Sequence, residues 1–327
     1  MAKIIFFNHY HRGDLLTHKE FIRQIKTELD GVEYEYMHFN HPKLTRDLDV
    51  PLTGDPTNLD PKTPFYQEED ALYINTWIGC HWDIFSQCGG INMDSLMGQW
   101  GRIFQIVNEC FGTKITINPN RDFYLPKIDF TRFDISHIDD YLEKNKDAKK
   151  ILICNGAPKS GQSFASNMKE FLEPLALENT DTHFICTEKF STVVDNVLFT
   201  EDIILDKEDA EKRAPWEDRA FNNCDLQEIS YLSENCNAIV GKNSGPYVFC
   251  ETYNNYTNPS KKFLSFNVSW GIGKATTETM SHNMQNFMKC EYTIIPVEGP
   301  AKGDLNLLTS DDIANINTAL DTLVKSL

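Results

Sequence analysis

An α/β fold of two Rossmann-like domains facing a cleft is predicted by three observations. Short apolar runs alternate with amphipathic stretches in both halves of the chain, the pattern of parallel strands joined by right-handed helical crossovers. A polar, Lys-rich helix end at Glu143 to Lys150 is followed by a fresh buried-strand run, Ile151-Leu152-Ile153-Cys154, which places a domain boundary near residue 148. With 327 residues the chain has room for about two domains. The first domain is therefore set at 1–148 and the second at 149–327, with a terminal helix that could pack back on the first.

Taken in order, Lys3 to Asn8 is a short run rich in Ile and Phe, read as a strand. It leads through His9-Tyr10-His11-Arg12-Gly13-Asp14 into an amphipathic helix over Leu15 to Leu29. Val32 to His38 alternates and reads as a second strand. Prolines at 42, 51, 56, 61 and 64 then mark a long excursion from the sheet. Ala71 to Ile78 is a further strand, and Met93 to Phe111 has helical periodicity.

In the second half, Ile151 to Cys154 is followed by a loop to Ser163 and a helix from Phe164 to about Glu173, before Pro174. His183 to Thr187 and Asn196 to Phe199 are short strands, and Asp206 to Arg219 is a charged stretch. Leu226 to Cys236 is helical, Ala238 to Val240 a strand, and Pro246 to Tyr253 the start of a helix. Lys262 to Val268 closes the series, before a terminal helix over Asp311 to Leu327.

Composition narrows the function. Hydrophobic residues at 41% and charged residues at 24% exclude disordered and low-complexity classes. Asp plus Glu outnumber Lys plus Arg by 48 to 31, a formal charge of -17, which disfavours nucleic acid as a partner. No run has the ~18 to 20 apolar residues of a transmembrane segment. The apolar run at Ile4 to Phe7 is too short for a signal-peptide core. Nine cysteines without a CxxC pair read as reduced thiols, so a cytoplasmic location is expected.

In open parallel sheets, ligands bind beyond the carboxyl ends of the strands. Two loops of the second half have that position. The first, Asn155 to Ser163, offers Gly156, Lys159, Ser160, Gly161, Gln162 and Ser163, small and hydroxylated residues with one cation, suited to phosphate oxygens. It also approaches the G-x-x-x-x-G-K-[ST] loop of NTPases, but Gln162 stands where lysine must reach the β- and γ-phosphates, which disfavours ATP hydrolysis. The second loop runs from Gly241 through Lys242, Asn243, Ser244 and Gly245 to Pro246, a residue suited to a first helical turn. Each loop could serve only as turn and cap; two in one domain point to a diphosphate ligand.

The run Asp225-Leu226-Gln227-Glu228-Ile229-Ser230-Tyr231-Leu232, followed by Asn237 to Pro246, resembles the donor-binding segment of heptosyltransferase-like GT-B glycosyltransferases, where a helix leads to a strand and then to a Ser-Gly-Pro or Thr-Gly-Pro loop. Asn243 stands where that family usually has Asp. The resemblance implies a GT-B fold that binds a nucleotide-sugar diphosphate in the second domain and a glycan or other hydroxyl acceptor in the first. It implies that Glu251 takes the donor ribose, whose two hydroxyls a carboxylate can accept. From their position after a strand end, Glu188 and Lys189 are further cleft candidates.

The loop from His9 to Asp14 resembles that family's Gly-Asp turn, which faces the acceptor. An inverting transfer needs a base for the acceptor hydroxyl. Asp14 is the first candidate and His11 the second, Asp14 having the alternative of a helix cap. Arg12 could hold an anionic acceptor or the donor diphosphate. Thr76, Trp77, His81 and Trp82, near a strand end, could stack on a sugar or belong to the core.

Cys80, His81 and Cys88 match no zinc spacing, and Asp47-Leu48-Asp49 sits in the Pro-rich excursion. Transfer without metal or other cofactor is expected, with helix dipoles and Lys159 or Lys242 stabilising the leaving diphosphate. Two alternatives stay open. Pro158-Lys159-Ser160-Gly161 resembles the phosphosulfate loop of sulfotransferases, and the chain could be a catalytically inactive nucleotide-sugar binder.

Overall fold

The computed structural model describes residues 2–38, 42–88, 90–156, 168–204, 225–242, 244–268, 288–297 and 310–327. They divide into two compact units, one running to Arg132 and the other starting at Phe133.

In the first unit, β1 (Lys3–Phe7) buries its last four side chains, as expected of a strand with layers on both faces. α1 (Arg12–Glu28) crosses over to β2 (Glu33–Met37). β3 (Phe65–Glu68) and β4 (Ala71–Asn75) complete a sheet of spatial order β2-β1-β4-β3. Phe7 lies opposite both Met37 and Asn75, so the three parallel strands end level and the loops that follow them open at one edge.

β3 runs antiparallel to β4, a strand that the sequence reading did not separate. Glu69, at φ 51°, helps turn the chain in a link far shorter than the roughly dozen residues a parallel crossover needs. The Pro-rich excursion is ordered by 3₁₀ turns at Pro42–Leu48 and Pro56–Asn58. A fully buried Lys19–Asp47 ion pair ties it to α1, and its Leu52 bridges to Tyr36 on the edge strand β2.

α2 (Trp82–Gln87) precedes α3 (Met93–Phe111). α3 starts at a reciprocal capping box between Asn92 and Ser95 and stops at Gly112, whose φ of 68° suits glycine. Its Trp100 stacks on Phe21 of α1 with ring centroids 5.1 Å apart, and Phe21 stacks on Tyr124 at 3.9 Å.

The second unit begins with α4 (Ser136–Lys144) and β5 (Lys149–Cys154). It continues through α5 (Lys169–Glu178), β6 (Thr182–Cys186), β7 (Val197–Phe199) and α6 (Thr200–Ile204). α7 (Leu226–Glu234), β8 (Ala238–Gly241), α8 (Gly245–Val248), α9 (Tyr253–Thr257) and β9 (Lys262–Val268) follow. β10 (Glu291–Val297) and α10 (Ser310–Lys325) end it. The spatial order is β10-β9-β8-β5-β6-β7, and every neighbouring pair is parallel.

Three expectations change here. β9 does not close the series, because β10 lies beyond it; Pro296 obscures β10 in the sequence and is tolerated because the strand is at the sheet edge. α5 runs through Pro174 instead of ending before it, held by buried Leu172, Leu175 and Ala176, while Pro174 and Glu170 face solvent where water can take the freed carbonyl. The helix expected from Pro246 to Tyr253 is two short ones, α8 and α9. The terminal helix closes the second unit's own core: Ile316, Leu320, Leu323 and Val324 cluster with Ile151, Phe184, Val240 and Leu264. The charged stretch at 206–219 lies outside the described residues.

Candidate functional site

In the first unit, residues after β1 and β4 hold Asp14. His11 is the N-cap of α1 with φ -104° and ψ 127°, its side chain making no capping bond, and Asp14 sits in the first turn. Asp14 is only 8% exposed. Its Oδ2 accepts from Asn8 Nδ2 at 3.2 Å and from the Ile78 N–H at 3.4 Å. The carboxylate is thus held by the β1 and β4 loops and is not the helix cap. Burial pushes its pKa up to about 7, the two hydrogen bonds opposing that rise.

His11 is half-buried, and desolvation lowers its pKa. His38, after β2, is buried and pushed down to about 3, first by burial and then by the charges of Arg12, His11 and His9. His9 Nε2 donates to the Leu59 carbonyl at 3.0 Å, joining this edge to the Pro-rich segment. Arg12 is therefore in electrostatic reach of the same group. Thr76 and His81 are core residues, fully buried, whereas Trp82 is 42% exposed and Trp77 is half-buried. Asn8 holds both the Tyr10 N–H and Asp14; its one mark in the sequence is an amide directly after an apolar run.

In the second unit, Cys154 lies opposite Gly241 and Ile153 opposite Cys186, so β8, β5 and β6 release their loops side by side. Asn155 is 7% exposed and clamps Glu188. Its Oδ1 accepts from the Glu188 N–H at 2.8 Å and its Nδ2 donates to the Glu188 carbonyl at 2.9 Å. The Glu188 carboxylate lies along Gly156: a Cβ there would come within 3.0 Å of Oε1. Lys242, 2% exposed, is held down to about 8 by burial, with the Glu188 charge working in the opposite direction.

Ser244 is the N-cap of α8, 5% exposed, and its Oγ makes no hydrogen bond among the described residues. A Cβ on Gly245 would meet open space, so no described neighbour demands glycine there. Pro246 lies in the first turn of α8.

Glu251 does not sit one to two turns into a helix as expected: α8 ends at Val248, and the Glu251 N–H donates to the Val248 carbonyl at 3.0 Å. Burial lifts its carboxyl to about 7, and it shares a tyrosine cluster with Tyr256, Tyr247 and Tyr292, the last two joined through their hydroxyls at 3.0 Å. Lys159, Ser160, Gly161, Gln162, Ser163 and Asn243 lie outside the described residues. Among the described residues no three His, Cys, Asp or Glu side chains are grouped as a metal site requires. No described helix is long and apolar enough to cross a membrane. A hollow of about 440 Å³ along α3, lined by Gly101, Phe104, Asn108 and Ile117, includes none of the strand-end residues.

No family model matches the sequence, and no curated protein matches it. Among solved structures, the chain is similar to a glycosyl transferase of family 9 from Veillonella parvula, at 10% identity over 100% of this chain and 98% of that one, with a TM-score of 0.48. It is similar to the ADP-heptose lps heptosyltransferase II of E. coli, at 12% identity over 99% of both chains and a TM-score of 0.45. It is also similar to a UDP-GlcNAc 2-epimerase from Neisseria meningitidis bound to UDP-GlcNAc, at 11% identity over 99% of this chain and 92% of that one, with a TM-score of 0.48.

Proposed function

We propose that the protein is a glycosyltransferase that moves a sugar from a nucleoside-diphosphate donor to an acceptor hydroxyl, with inversion and without a metal. The observation that carries this reading is the meeting of Asn155, Gly156, Glu188 and Lys242 at the carboxyl ends of adjacent strands β6, β5 and β8. Such an edge is where parallel sheets take ligands, and a buried ammonium is worth most to a diphosphate in a dry site. Lys242 and the Ser244 hydroxyl would hold the diphosphate and stabilise it as it leaves. Gly245, where a Cβ would meet nothing within 4 Å, leaves the backbone open to it, and Glu251 would accept from the ribose. Asp14, titrating near neutrality, would take the acceptor proton.

Calorimetric titration with UDP, GDP, ADP and adenosine 3′,5′-bisphosphate tests the donor half. One nucleoside diphosphate is expected to bind, and Lys242→Met is expected to weaken it by about 10- to 100-fold, the worth of a charge-assisted hydrogen bond. Affinity should fall as pH rises through about 8, where Lys242 loses its charge. Binding of the bisphosphate alone, or binding indifferent to Lys242, contradicts the reading.

A further inference from the structure

The edge of the first sheet carries a feature that neither the donor group nor the base explains. Asn8 and Asn75, each fully buried at the end of its strand, use the same device: Asn8 Oδ1 accepts from the Tyr10 N–H at 2.8 Å and Asn75 Oδ1 from the Trp77 N–H at 3.0 Å. Asn75 is itself anchored, its Nδ2 donating to the carbonyls of Pro61 at 2.9 Å and Thr63 at 3.2 Å. Two aromatic residues distant in sequence are thereby fixed against each other, with ring centroids 4.5 Å apart and planes inclined by 51°. The indole of Trp77 lies directly over Gly79, so close that a Cβ there would fall 2.2 Å from a ring carbon. Yet Tyr10 remains 48% exposed.

We propose that Tyr10 and Trp77 form a preorganised platform that stacks on the C–H face of a pyranose ring, making the acceptor a carbohydrate. The proposal rests on the glycosyltransferase reading above. Its position follows from the bonds that fix Asp14: Asn8 holds both Tyr10 and the Asp14 carboxylate, and the Ile78 N–H next to Trp77 donates to the same Oδ2. A ring lying on the platform would thus present its rim hydroxyls beside the base. The polarised C–H bonds of a sugar face complement the negative face of an aromatic ring, and a rigid aromatic surface costs little entropy to use. Tyr10 is held by the buried Asn8 amide and its neighbour Trp77 by the buried Asn75 amide, yet the Tyr10 ring is left facing solvent, where it adds nothing to the core.

Saturation-transfer NMR on the full chain, with methyl β-D-glucopyranoside and methyl β-D-galactopyranoside as probes and glycerol as a non-ring control, tests this. Transfer to the ring C–H protons of at least one glycoside is expected, and none to glycerol. Tyr10→Ala and Trp77→Leu should each weaken glycoside binding by about tenfold, the worth of a good aromatic contact. Tyr10→Phe should retain it, and Gly79→Ala should weaken it by displacing the indole. UDP, GDP and ADP are titrated into the same variants and should bind unchanged. Absence of any glycoside contact in the wild-type protein, unchanged binding in Tyr10→Ala and Trp77→Leu, or stacking of the nucleotide base on Tyr10 would each overturn the platform. Glycoside stacking without any nucleoside diphosphate binding would instead overturn the transferase reading and leave the platform standing.

Discussion

Asp14 poses the sharpest question at the scale of a residue. Its folded pKa of about 7 lies above the ordinary 3.8, so folding favours the neutral acid. The stability it contributes is complete below about pH 4 and is lost as pH rises through about 7. Above that, the fold carries a buried negative charge at a cost in stability. Asp14→Asn should therefore match the wild type in thermal midpoint at pH 4 and exceed it at pH 8, while turnover falls by about 10²- to 10⁴-fold. Wild-type turnover should itself rise with pH through about 7. A lower midpoint at pH 8 with turnover intact would make Asp14 a purely structural acceptor. The sequence left base and cap open for this residue; the bonds that take its carboxylate away from capping come from Asn8 and Ile78, which spacing along the chain could not connect to it.

Among elements, the close approach of β8 to β5 and α8 is what sets the ends of β5 and β8 side by side. Gly241 makes it possible: a Cβ there would lie 2.8 Å from the Cys154 Cβ, 2.8 Å from the Tyr247 ring and 3.2 Å from the Cys154 carbonyl. Gly241→Ala is expected to destabilise the protein by about 1 to 3 kcal/mol, the usual cost of overpacking, read as a lower urea midpoint at unchanged slope. An unchanged midpoint would mean that the strand ends can part freely. Strong periodicity made α3 and the buried run of β5 legible in sequence. The misplaced elements are those where tertiary packing overrides a local signal. Pro174 is carried by the apolar face of α5, Pro296 by an edge position, and the short α8 ends where Tyr247 and Phe249 turn inward to bury.

For the whole molecule, the -17 charge makes the placement of the cations buried among the described residues informative, Lys19, Lys150, Lys242 and Lys261. Lys19 is paired with Asp47, and Lys261 donates to the carbonyls of Ser233 at 2.7 Å and Glu234 at 3.2 Å, closing the end of α7. Lys242 lies buried at a strand edge within electrostatic reach of Glu188, and in the proposed reading it also meets the diphosphate. The two-sheet plan was readable from the alternation of elements. The Asn155–Glu188 clamp and the Tyr10–Trp77 pair were not, since each joins residues brought together only by parallel strand register. A crystal structure with bound UDP, GDP or ADP tests the central claim most directly. The account predicts diphosphate oxygens within hydrogen-bond reach of Lys242 Nζ and the Ser244 hydroxyl, beside Gly156. A nucleotide seated away from the ends of β5, β6 and β8, with Lys242 untouched, would contradict it.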